Sequence, residues 1–200
     1  MSKKHLWDHT VKRPFHYPGY SESFSNWKSF LEEWGDADMD YNLLFRFGWE
    51  GDTLKMLFAM QRRGGFTEAS VQVEKADESA IRAFLEPRGR HLIENWAPLT
   101  GHTDGHLWDV ERYPNSSSSY RRRAFPNFAC WLAEDTAGPD LLYGFDWEDD
   151  RLSLFFESGE TLPFYHEIDV TPEDEPAVKE WLSARLKELM ALWSPLGLTS

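Results

Sequence analysis

Cysteine is almost missing from this 200-residue sequence: Cys130 stands alone, which excludes an internal disulfide and a cysteine-based zinc site. Long apolar runs are missing too. Nothing approaches the roughly 20 residues that cross a bilayer, and no apolar stretch follows Lys3 and Lys4 to make a secretory leader. A cytoplasmic location is the expectation. Phosphate-cradling glycine loops, nucleophile elbows, His-Glu-x-x-His and paired-carboxylate motifs do not occur, so no cofactor, metal or catalytic residue is assigned. Positive charge is scarce: 21 Lys and Arg face 34 Asp and Glu, for a net charge of −13. Such a field repels nucleic acid and anionic membranes and attracts basic surfaces.

What is present is apolar and aromatic. Hydrophobic residues make up 41% and aromatic residues 16%, enough for a packed core. The acidity is uneven. Residues 1–100 hold 13 Lys and Arg against 15 Asp and Glu, while residues 101–200 hold 8 against 19.

The chain also repeats itself, and repeats decide architecture. His5-Leu6-Trp7-Asp8 returns as His106-Leu107-Trp108-Asp109, Phe24 and Asn26 as Phe125 and Asn127, and Leu31 as Leu132. Residues 43–58 match 141–156 at 8 of 16 positions, and 73–99 match 170–196 at 10 of 27. Four blocks in one order read as a tandem duplication, with copy 1 at 1–101 and an acidic copy 2 at 102–200.

Each copy reads as an α-β-β-β-α unit. An amphipathic helix is expected at 24–34, with Phe24, Trp27, Phe30, Leu31 and Trp34 on one face, and its counterpart at 126–134. Period-two spacing then predicts three strands through Phe45, Phe47 and Trp49, then Leu54, Met56 and Phe58, then Val71 and Val73, with turns at Glu50-Gly51-Asp52 and Gly64-Gly65. A last helix starts near Thr171-Pro172-Glu173-Asp174 and stops before Pro195. In copy 1, Pro87 and Gly89 are expected to kink or split the equivalent helix. The fold class is therefore α+β: a three-stranded antiparallel meander with helices on one face. The two copies are expected to pack as an intrachain pseudo-dimer through Leu44, Leu57, Leu142 and Phe155.

Candidate chemistry is sparse. Trp7/Trp108, Trp49/Trp147 and Trp96/Trp193 are matched pairs, which reads as core and not as stacking platforms. The His5/Asp8 and His106/Asp109 pairs could orient an imidazole for acid–base work; their presence in both copies favours tying each N-terminal segment to its body. His102, Asp104 and His106 have an alternate spacing a metal could use, which His166 and Glu167 could assist, in a junction that reads as a linker. Cys130 has no histidine motif to activate it. Arg62-Arg63 and Arg121-Arg122-Arg123 could pair with the acidic half, internally or in a second molecule.

The carboxylates of copy 2 are the chosen site. Asp146, Glu148, Asp149 and Asp150 surround its first turn, Glu157 and Glu160 lie in the second, and Glu167 and Asp169 share the outer face of the third strand. Several equivalents in copy 1 are neutral: Gly48, Gly51 and Gln72. The functional reading is a non-catalytic, acidic interaction module of the inhibitor or immunity type. Its partner would be a basic protein surface, such as that of a nuclease, a toxin or a nucleic-acid-binding complex. No direct contact with nucleic acid or membrane is expected, and a homodimer is compatible. Two alternatives stand beside it. One is an enzyme or small-molecule binder with a site between the copies, using His106, Asp104 or the His-x-x-Asp pairs; the other is a structural subunit.

Overall fold

A computed structural model of the chain describes residues 5–6, 20–39, 42–60, 66–94, 96, 99, 106–107, 121–134, 141–157 and 164–198. Each half builds one sheet. The first contains Tyr20–Phe24 (β1), Asn42–Glu50 (β2), Thr53–Met60 (β3) and Phe66–Gln72 (β4), in the order β1-β4-β3-β2. The second contains Arg121–Phe125 (β5), Leu141–Glu148 (β6), Arg151–Glu157 (β7) and Phe164–Asp169 (β8), in the order β5-β8-β7-β6. The fold is α+β, and the sheets are four-stranded and mixed. This corrects the expected three-stranded meander: β1 runs parallel to β4, and β5 parallel to β8. The extra strand escaped the sequence pattern because it is an edge. Tyr20, Ser21 and Ser23 are exposed and only Phe24 is buried, so no apolar alternation marks it.

The helices are Trp27–Trp34 (α1), Glu78–Glu94 (α2), Phe128–Glu134 (α3) and Glu175–Trp193 (α4). Asn26 and Asn127 set the start of α1 and α3: their side-chain oxygens accept from Ser29 N at 2.8 Å and from Cys130 N at 2.7 Å. Phe24 therefore ends a strand instead of joining the helix, and Leu31 and Leu132 lie exposed on α1 and α3, not in the core. Thr171 opens a 3₁₀ turn at Pro172–Asp174 that leads into α4; its N–H donates to Asp174 Oδ2 at 2.8 Å. α2 does not split. It runs through Pro87 as one helix, with Pro87 on its exposed side. Within the first half Trp34 packs on Phe58, and Phe84 of α2 packs edge-on against Trp27 and Phe30 of α1.

The tryptophans at 27, 34, 49, 96, 131, 147 and 193 are buried, and Trp181 packs partly buried against them. Trp7 and Trp108 lie outside the described residues. Leu44, Leu57, Leu142 and Phe155 are all buried.

The two halves meet through aromatic rings arranged in matched sets. Each first hairpin carries a bulge at the same place, between Leu44 and Arg46 and between Leu142 and Gly144. The bulged residues, Phe45 and Tyr143, stack on each other across the junction with centroids 4.9 Å apart. On either side of them, Phe47 meets Trp193 at 4.8 Å and Phe145 meets Trp96 at 5.1 Å. Trp193 Nε1 donates to the Phe45 carbonyl at 3.2 Å. Beside these rings Arg46, 1% exposed, donates from Nη1 to Glu157 Oε1 at 2.6 Å.

Candidate functional site

The acidic residues of the second half gather at one end of its sheet because of how the strands pair. Arg151 of β7 stands between Glu148 of β6 and Asp169 of β8 in register, and Val170 N donates to the Asp150 carbonyl at 2.7 Å, closing the turn onto the end of β8. Glu173 follows two residues into the next turn. Glu148, Asp149, Asp150, Asp169 and Glu173 are all exposed. The Glu173 carboxyl is held below the usual range, first by the Thr171 side chain and then by its own backbone N–H.

Asp149 adds a conformational observation. Its φ is 53°, in the left-handed region, and the Trp147 indole N–H donates to its carbonyl at 3.0 Å. In the first half the same turn position is Gly51 at φ 59°. A side chain in this region costs about 1 kcal/mol relative to glycine. The second half carries a carboxylate where the first half has the residue that fits without cost.

At the equivalent end of the first half a lysine answers two of the carboxylates. Lys55 Nζ lies 3.0 Å from Glu50 and 3.5 Å from Glu68. Burial opposes the Lys55 charge, but hydrogen bonding and attraction to those two carboxylates outweigh it and raise its pKa. A small pocket of about 250 Å³ lies here, lined by Trp49, Gly51, Asp52, Val73, Glu74 and Lys75.

Three of the chosen carboxylates lie apart from this exposed end. Glu157 sits in β7 and pairs with buried Arg46 of the other half. Glu167 pairs with Arg122 and lies 3.8 Å from Arg151. Asp146 is half-buried in β6, with further contacts of its own. Glu160 lies outside the described residues. The arginines Arg122 and Arg123 are strand residues paired internally, Arg123 with Glu134. They are therefore not a free basic patch, and Arg62 and Arg63 lie outside the described residues.

Two histidine arrangements were only half legible. His5 Nδ1 lies 2.5 Å from Glu78 Oε2, and His106 Nδ1 lies 2.9 Å from Glu175 Oε2. The other carboxylate oxygen of each glutamate accepts from a backbone N–H, from Leu6 at 3.2 Å and from Leu107 at 3.1 Å. Leu6 and Leu107 are fully buried, so each clasp fastens an N-terminal segment to the start of a long helix. The partner is a distant glutamate; Asp8 and Asp109 lie outside the described residues. The usable signal was that Glu78 and Glu175 are identical positions of the last repeat block. Burial works to raise both carboxyls. Bonds from His5 and Arg82 to Glu78, and from Lys179, His106 and Leu107 N to Glu175, outweigh it and lower both.

His166 is the second arrangement. It is 2% exposed, and its Nδ1 accepts from the Trp131 indole N–H at 2.9 Å. Burial, with the Arg123 charge second, pushes its pKa down to about 4. Among the described residues no group of three or more His, Cys, Asp or Glu could hold a metal; His102 and Asp104 fall outside them. Cys130 is exposed on α3. No helix among the described residues is long and apolar enough to cross a membrane. No protein-family model, curated protein or solved structure matches the chain.

Proposed function

We propose that the chain is a tandem duplication, 1–101 and 102–200, folded as an intrachain pseudo-dimer. It works as a non-catalytic interaction module of the inhibitor or immunity type. The acidic end of the second sheet docks on a basic surface of a partner protein, including the kind of surface that itself binds nucleic acid. The reading is carried by the exposed group Glu148, Asp149, Asp150, Asp169 and Glu173, in which Asp149 occupies a backbone conformation that favours glycine. Its equivalents in the first half are Glu50, Gly51, Asp52, Gln72 and Ala76, beside Lys55 and Lys75. Clustered carboxylates of this kind steer basic partners and give binding that weakens steeply with salt.

The test changes the acidic end to its first-half counterpart: Asp149→Gly with Asp169→Gln and Glu173→Ala. All three side chains are exposed, and the first change relieves the turn while Glu173→Ala gives up the Thr171 contact, so the urea midpoint should stay close to the native value. Native and changed proteins are immobilised and exposed to native lysate at low and high salt. Basic proteins held by the native chain at low salt, released at high salt and absent from the changed chain support the reading. The same proteins captured by both chains would end it.

A further inference from the structure

The ion pair between the halves breaks the matching around it. In the repeat alignment Arg46 corresponds to Gly144, and Glu157 to Ala59. The ring contacts are reciprocal: Phe47 with Trp193 on one side of the Phe45–Tyr143 stack, Phe145 with Trp96 on the other. The same relation that sets Arg46 against Glu157 sets Gly144 against Ala59. Charge occupies one of the two equivalent places and small neutral residues occupy the other.

This asymmetry distinguishes partners. Two first halves brought together would bury two guanidinium groups against Ala59. Two second halves would bury two carboxylates against Gly144. Each arrangement leaves unpaired charge at a place where side chains are 2% and 12% exposed in the native pair, and removing one partner of a buried pair is far more damaging than removing both. Pairing of like halves also has a geometric consequence. A chain that offers one half to each of two neighbours propagates an open row, whereas pairing of unlike halves within one chain closes.

We propose that Arg46 and Glu157 confine pairing to unlike halves, so that copies of the chain do not join one another through like halves end to end. This rests on the duplication reading above. The full-length chain is compared with Arg46→Gly, Glu157→Ala, the double variant, and a relocated pair that adds Ala59→Glu and Gly144→Arg to the double variant. Urea unfolding and sedimentation velocity over a wide concentration range are the readouts.

Each single variant should lower the urea midpoint, and the double variant should recover it while forming species larger than a monomer as concentration rises. The relocated pair should return both the midpoint and the monomer. A double variant that stays as monomeric as the native chain overturns the role in partner choice. A double variant that does not recover the midpoint overturns it as well. A relocated pair that fails to restore stability overturns the twofold relation itself, and with it the duplication reading on which the proposal stands.

Discussion

His166 shows what one side chain can impose on a core. It corresponds to Ala69 in the first half and sits among the rings of Phe125, Trp131 and Phe156. Because the Trp131 indole N–H donates to Nδ1, the imidazole is held as the neutral tautomer protonated on Nε2. The unfolded chain takes up this proton near pH 6.5, while the folded chain resists until about pH 4. Between those values the unfolded state binds more protons, so the stability is fully present above pH 6.5 and is lost as pH falls toward 4. At 1.36 kcal/mol per pH unit the loss is about 3 kcal/mol. Urea midpoints measured from pH 7.5 to 4.5 should fall accordingly. His166→Asn retains an acceptor for Trp131 without the titration, so its midpoint should fall less over the same window. Equal slopes in the two proteins would place the acid sensitivity elsewhere. The lowered carboxyls of Glu78 and Glu175 act below this range, where protonation weakens the two clasps.

At the scale of the element, α2 carries two residues that suit a helix poorly, and they have different reasons. Pro87 is exposed, and nothing in the structure explains it. Its counterpart is Ala184, and an interior proline costs a helix up to about 3 kcal/mol against alanine. Pro87→Ala should therefore raise the urea midpoint, by about 1–3 kcal/mol in stability. Gly89 is different: a Cβ there would lie 2.5 Å from Leu198 Cδ1 and from Trp193 Cε3. Gly89→Leu, which installs the residue found at position 186, should lower the midpoint, because the end of α4 packs directly on that backbone. β2, β3, β6 and β7 were legible from the period-two spacing of their largest apolar residues, although β2 is buried on both faces along most of its length. β1 and β5 were not, since they are polar edges defined by partners more than forty residues away. The acidic end was legible as a set of turn residues. Its pruning was not, because Glu157 and Glu167 are claimed by Arg46 and Arg122 through contacts that no local pattern encodes.

The whole molecule behaves as one core shared by two sheets. Each half lends a tryptophan to the other: Trp193 covers Phe47, and Trp96 covers Phe145. The buried apolar residues of both halves form a single connected cluster. A four-stranded sheet under two helices is a small unit, and burying its exposed aromatic face against a second unit removes the surface that water would otherwise contact. The halves should then unfold together in one transition. The lone cysteine makes this measurable: Cys130 is exposed on α3 of the second half, so a fluorophore there reports that half separately from the total tryptophan signal. Phe47→Ala, a change in the first half, removes a ring buried against Trp49 and Trp193 and should cost about 3–5 kcal/mol. In a shared core the Cys130 reporter and the tryptophan signal shift by the same amount and their urea curves superimpose. A Cys130 transition that keeps its native midpoint while the tryptophan signal splits in two would mean that the halves are independent domains touching at a surface.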